Sequence, residues 1–300
     1  MLELDNSLRV VRGWSWWCFR WQLLRGGKDI AVVRDQEGVL RHKRCYAPAM
    51  IREAIRQHKD NVQQGRMLKD DHKRRASRIH AADGRTYIVK EYRNPLWPGC
   101  FSRDQQGWLG SNRLVGSAEC FAWQRNADLT AAYLLFQDAG DGDLYMAHDL
   151  TLPVNEAVPL YRQAGQMLAG LHRQGIYHAD TKPSNFVFST SASGHHRLTV
   201  IDCDDIRVNI CLSRQRRLKN LAQFIGCLWC LTEMPQRIAM ARAFLQGYCA
   251  LSRGTGSPSW LCPADQLKLA AACHKLYPEH WEENQRLLQK VFAPEEMQSS

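Results

Sequence analysis

Apolar and polar positions change period several times along the chain, and each change marks an element. Residues 30–35 (IAVVRD) read as a short strand and 47–64 (APAMIREAIRQHKDNVQQ) as a helix. ASRIHAA (76–82) and RTYIVKEY (85–92) flank Asp83-Gly84, the pattern of two antiparallel strands joined by a tight turn. Residues 108–125 favour a helix, and AAYLLFQD (131–138) and GDLYMAHDL (142–150) favour two more strands. In 160–175, Leu160, Ala164, Met167, Leu168 and Leu171 form one apolar stripe, and Gly175 supplies a helix stop. FVF (186–188) and RLTVID (197–202) read as strands, and helical patterns predominate from 215 onward. The order is a small β-rich half containing one helix, then a mostly helical half. That is the order of an α+β, bilobal protein-kinase-like fold, with 1–60 as an N-terminal extension, 61–150 as the β-rich lobe and 151–300 as the helical lobe.

Composition narrows the setting. The chain has 300 residues, 45% hydrophobic and 23% charged, enough for one large domain or two lobes of a soluble protein. No apolar run reaches the eighteen or so residues of a membrane span. MLELDNSLRV carries acidic residues where a secretory leader has basic ones, so a cytoplasmic location is expected. The eleven cysteines lack framework spacing and read as reduced thiols, with Cys227 and Cys230 as core residues of an apolar run. The net charge of +10 is concentrated in Arg52–Arg78 and in RQRRLK (214–219). Such clusters suit an anionic partner or form a solvated basic face. The aromatic patch WSWWCFRW (14–21) reads first as packing onto the main body and second as an anchor at a membrane interface.

The chemistry is carried by YHADTKPSNFVF (177–188) and VIDCD (200–204). H-x-D-x-x-x-x-N after a helix and before a strand, followed by a second strand ending in carboxylates, is the pattern of a kinase catalytic loop and its metal-binding Asp. Phosphoryl transfer needs positioning and charge neutralisation more than covalent chemistry. Asp180 is placed to orient the acceptor hydroxyl and take its proton, and Lys182 to neutralise the transferring group. Asn185 and Asp202 offer the hard oxygens that Mg²⁺ prefers. Lys90, on the strand TYIVKEY, is the candidate for the ATP α- and β-phosphates. Its expected partner is Glu119 on the predicted helix, with Glu91 as the alternative. No glycine-rich loop precedes this strand. The turn LKDDHKRRAS (68–77) takes its place, contacting phosphate through backbone amides helped by Lys73 and Arg74.

These stretches resemble the bacterial lipopolysaccharide core kinases, which phosphorylate heptose or Kdo sugars on a protein-kinase-like fold. The resemblance spans roughly 66–235 and includes DGRTYIVKEYR, LVGSAECFAWQR, HADTKPSNF, VIDCDDIRV and RQRRLKNLAQFIG. It implies the roles above for Lys90, Glu119, Asp180, Asn185 and Asp202, with ATP and Mg²⁺ in the cleft between lobes. It also implies an anionic glycolipid acceptor, probed by Asp204, Arg214, Arg216, Arg217 and Lys219, at the cytoplasmic face of the inner membrane. Nucleic acid is not an expected partner. Asp202-Cys203-Asp204 departs from D-F-G, so no phenylalanine switch is implied. A Ser/Thr protein kinase, a small-molecule phosphotransferase using Asp204 and Asp205 as an acidic pocket, and a kinase-fold scaffold remain as other readings.

Overall fold

A computed structural model describes residues 8–82, 84–93, 102–145, 152–231, 233–252 and 261–293. The chain divides into two compact units: residues 9–139 with 202–205 form the first, and the remainder forms the second. The class is α+β, with a β-rich N-terminal part and a helical C-terminal part, as expected.

In the first unit, β1 (Arg9–Val10) pairs with β7 (Leu114–Val115). A seven-stranded antiparallel sheet is built from β2 (Ile30–Asp35), β3 (Gly38–Lys43), β4 (Lys69–Asp70), β5 (Arg74–His80), β6 (Thr86–Arg93), β8 (Cys120–Asn126) and β9 (Ala131–Gln137), in the order β2-β3-β8-β9-β6-β5-β4. Side chains alternate across a strand. Tyr87, Val89, Phe121, Tyr133 and Leu135 therefore pack against Ile51 and Ile55 of α2 (Pro48–Gln63). Tyr92, Trp123, Ala132 and Leu134 pack with Leu23 of α1 (Gly13–Arg25) and Trp108 of α3 (Arg103–Arg113). Residues 30–63, which the local pattern sets apart in an extension, thus supply two strands and one cover of this sheet. Their partner β8 lies some eighty residues on, with Leu40 opposite Gln124, and no local pattern reports such a pairing.

The helix expected over 108–125 is shorter and earlier. It ends at Arg113, Gly116 turns the chain at φ +88°, and the residues from Cys120 enter β8. Cys120 to Gln124 are buried on both faces of a central strand, so they show an unbroken apolar run instead of alternation. The strand expected over 142–150 is described only to Tyr145, with Gly142–Asp143 as β10; the rest lies outside the described residues.

Among the described residues the second unit holds β10, β11 (Ile176–His178), β12 (Phe186–Thr190), β13 (His196–Val200), β14 (Ile206–Val208) and the α-helices α4 (Val154–Arg173), α5 (Arg214–Gly226), α6 (Met234–Ser252), α7 (Pro263–Leu276) and α8 (Trp281–Phe292). The apolar stripe of α4 buries Leu160, Ala164, Leu168 and Leu171 as its spacing predicts. Phe224 of α5 stacks on Phe244 of α6 at 3.8 Å between centroids. Helices α4 and α6 cross at two glycines: a Cβ on Gly165 would lie 1.9 Å from the Phe244 carbonyl oxygen, and one on Gly247 would lie 2.0 Å from that of Arg162. The backbones touch where the side chains are missing.

Each of Gly165→Ala and Gly247→Ala should therefore destabilise the protein by about 1–3 kcal/mol through overpacking. Gly170→Ala, on the same α4 with open space around its Cβ position, should be neutral or stabilising by up to ~1 kcal/mol. Urea denaturation of the three variants measures the contrast.

Candidate active site

The first unit contributes a buried charge network. Lys90 shares a sheet face with Tyr92 and sits opposite Leu134. Its Nζ donates to Asp202 Oδ1 at 2.5 Å, and both side chains are 19% exposed. Asp202 has φ +59°, one of two left-handed non-glycine residues among those described. That conformation costs roughly 1–3 kcal/mol and persists only where surroundings over-determine it. The Tyr92 hydroxyl donates to Asp204 Oδ2 at 3.1 Å, and Arg74 lies 3.8 Å from the same oxygen. Burial alone would lower the Lys90 pKa, but Tyr92, Asp202 and Asp204 outweigh it and hold the ammonium charged. Burial alone would raise Asp202; Lys90 reverses this and keeps it ionised. For Asp204, burial together with the neighbouring Asp202 carboxylate outweighs Lys90 and lifts it to about 6.

Glu119 does not partner Lys90. It lies just before β8 instead of on a helix, and its Oε1 accepts from Lys43 Nζ at 2.7 Å. Glu91, the alternative, points to the opposite sheet face, where it meets His58 at 3.4 Å and Arg75 at 3.9 Å. The turn between β4 and β5 falls where expected, but its amides are already used. Asp71 Oδ1 accepts from the N–H groups of Lys73 at 2.9 Å and Arg74 at 2.7 Å. A carboxylate thus does the work of turn formation that glycine does in a supple phosphate loop. What remains for phosphate is the exposed Lys73 side chain and, beside Asp71 and Asp204, the Arg74 guanidinium.

The second unit contributes the loop after β11. The Lys182 Nζ lies 2.9 Å from Asp180 Oδ2, and the Asp180 side chain is 47% exposed. Asn185 Nδ2 donates to the Asp180 carbonyl at 2.6 Å and to its carboxylate at 3.2 Å, which leaves Asn185 Oδ1 as the oxygen to offer a cation. His178 accepts the Asp180 N–H at Nδ1 (3.3 Å) and donates from Nε2 to the carbonyl of Ile201 (3.2 Å), the residue before Asp202. Among the described residues no three His, Cys, Asp or Glu side chains gather to hold a metal. Asn185 Oδ1 in one unit and the Asp202 carboxylate in the other are each hard oxygens of the kind Mg²⁺ prefers.

Beneath this loop lies a polar bed that motif reading does not reveal. Asn220 of α5 donates to the His178 carbonyl at 2.7 Å, and Gln223 donates to the Ala179 carbonyl at 2.5 Å. Thr181 Oγ1 lies 3.0 Å from both the Asn220 carbonyl and Gln223 Oε1. His172 of α4 donates to Asn220 Oδ1 at 3.0 Å and accepts from the Tyr248 hydroxyl at 2.6 Å. The available signal is NLAQ (220–223): two amides among the buried, otherwise apolar positions in the second half of the helix.

The basic residues of α5 are largely engaged. Arg214 pairs with the fully buried Asp265 of α7. Arg216 donates to Asn209 Oδ1 at 2.8 Å and lies over the Tyr177 ring, and Arg217 donates to the Leu212 carbonyl at 3.2 Å. Lys219 is exposed. Asp204, assigned with them to the acceptor, belongs to the other unit, and its side chain is only 10% exposed. The 52–78 cluster is likewise met by acids: Arg52 by Asp35 and Glu37, Arg75 by Asp70, Arg78 by Asp138.

Part of the chain is similar to known proteins. The model of the Lipopolysaccharide kinase (Kdo/WaaP) family matches residues 137–237, which contain Asp180, Lys182, Asn185, Asp202 and α5. A solved structure described as WaaP in complex with acyl carrier protein is 16% identical, with a TM-score of 0.46 over 88% of this chain and 100% of that one. No curated protein matches.

The polar bed generates a pH prediction. Burial lowers the His172 pKa from 6.5 to about 4. The native state refuses a proton that the unfolded chain accepts, so the stability His172 contributes above pH 6.5 is lost as pH falls through about 4. The loss should be on the order of 3 kcal/mol. Urea unfolding between pH 7 and pH 4 should show this slope in the wild type and a flatter one in His172→Gln.

Proposed function

We propose that this chain, which carries the Kdo/WaaP lipopolysaccharide-kinase signature over residues 137–237, transfers the γ-phosphoryl group of ATP to a hydroxyl of a lipopolysaccharide inner-core sugar, a heptose in the first instance. The observation that carries the reading is the buried Lys90–Asp202 pair, joining residues 112 positions apart, with Asp202 held in a strained backbone conformation. Strain and buried charge at one residue are costly to maintain without use.

The roles follow from the chemistry. The acceptor oxygen forms a bond to the γ-phosphorus, the bond to the bridging oxygen of ADP breaks, and the acceptor proton passes to the Asp180 carboxylate. Lys182, already 2.9 Å from that carboxylate, opposes the charge on the transferring group. Lys90 holds the α- and β-phosphates, with Lys73 and Arg74 as auxiliary cations. Asn185 and Asp202 would hold Mg²⁺, which when bound would supply neutralisation of phosphate charge. Two observations favour a sugar over a peptide or a cationic small molecule. Only residues 209–213 separate β14 from α5, leaving no long segment to dock a peptide. Asp204, which an acidic pocket would need, is bonded to Tyr92. Arg216, Arg217 and Lys219 remain the cations for an anionic acceptor, while Arg214 serves Asp265.

Asp180→Asn should lower kcat by about 10²–10⁴-fold and leave ATP affinity unchanged, because the carboxylate acts on the acceptor. Asp202→Ala should weaken Mg·ATP binding. Labelled ATP offered with purified core lipopolysaccharide, a protein panel and an aminoglycoside panel tests the acceptor class, and mass spectrometry of the product core identifies the sugar. Transfer to protein alone, or full activity of Asp180→Asn, would overturn the assignment.

A further inference from the structure

The aromatic patch divides in two. Trp16 and Leu23 of α1 enter the core of the β-rich unit, but Trp14, Trp17 and Trp21 are 81%, 59% and 59% exposed. At 100° per residue these three fall within an arc of about 60° on one helix face, spread over about 10 Å of axis. A soluble surface rarely shows so much contiguous aromatic area without a partner. Arginines accompany them: the Arg25 guanidinium lies 4.3 Å from the Trp21 ring centroid and that of Arg20 lies 5.3 Å from Trp17.

The electrostatic setting differs from that of the other basic clusters. Helix α1 contains no acidic residue. Arg9, Arg12, Arg25 and Lys28 are exposed, and none of the ion pairs among the described residues involves them or Arg20. The field is strong enough that Arg113, first by burial and then by Arg12 and Arg20, is pushed below the ordinary arginine value. By contrast, Arg52, Arg75 and Arg78 are met by carboxylates.

We propose that the exposed face of α1 is a docking surface for an anionic phospholipid bilayer, lying in the interface plane with Trp14, Trp17 and Trp21 at headgroup depth and the arginines against lipid phosphates. Tryptophan suits that depth because its ring is apolar and its N–H polar, and arginine beside it supplies charge complementarity to the membrane. No described helix is long and apolar enough to cross a membrane, so the contact is peripheral. The face belongs to the β-rich unit and is separate from Lys90 and Asp202, so this inference does not rest on the phosphotransferase reading.

The test uses the full chain with vesicles of phosphatidylcholine alone and of phosphatidylcholine with phosphatidylglycerol. Sedimentation should show binding to the anionic vesicles that weakens with salt, and brominated phosphatidylglycerol should quench tryptophan fluorescence. The variant Trp14→Ser/Trp17→Ser/Trp21→Ser should lose the binding and the quenching while keeping wild-type circular dichroism. A second variant, Arg9→Ser/Arg12→Ser/Arg25→Ser, should bind anionic vesicles about a hundredfold more weakly, at the usual contribution of a basic residue near an anionic surface. Unchanged vesicle binding in either folded variant would overturn the proposal. So would a wild type that ignores vesicles but dimerises through this face, as light scattering of wild type and tryptophan variant would reveal.

Discussion

The ion pair between Lys90 and Asp202 ties the end of the β13 excursion back to the middle of the seven-stranded sheet. Because of it, four residues, 202–205, belong to the β-rich unit while the chain on either side builds the helical one. Two charges taken out of water cost several kcal/mol each, and their attraction repays this only with good geometry and further hydrogen bonds. Here Tyr92, on the same sheet face as Lys90, donates to Asp204, and α3 closes over the group: a Cβ on Gly107 would stand 3.3 Å from that of Asp204 and 3.4 Å from the Tyr92 hydroxyl. The packing of α3, the strand alternation that aims Lys90 and the left-handed turn at Asp202 are one constraint seen from three sides.

A comparable logic holds the loop after β11 within the helical unit. The loop carrying Asp180 exposes its carboxylate but fixes its backbone from below, through Asn220, Gln223 and Thr181. The effect is to fix the loop backbone while the Asp180 carboxylate stays in water. The bed also explains why α5 carries amides inward and cations outward. The inward amides satisfy loop carbonyls that would otherwise be buried without partners.

Net charge proved a poor guide to where a partner binds. Much of the densest basic run in the sequence, 52–78, is met by acids near and far in the chain, whereas among the described residues the thinner scatter around α1 forms no ion pair. A surface field depends on which carboxylates fold beside which arginines.

Much of this protein was legible in the order of its residues. The catalytic-loop motif, the strand bearing Lys90, the stripe of α4, the turn before Ala76 and the α+β order all rest on local periodicity and on spacings within a few residues, which a linear reading can measure. Glu119 was misread as helical because a strand buried on both faces loses its alternation, and its pairing with Lys43 spans 76 residues. Residues 1–60 read as an extension because the strand that pairs with β3 is distant in the chain. The bed of Asn220 and Gln223, the sequestering of Arg214 by Asp265 and the split of the tryptophans into buried and exposed sets were decided by tertiary structure alone. Each depends on which surfaces are removed from water together, and that is settled only when remote segments pack.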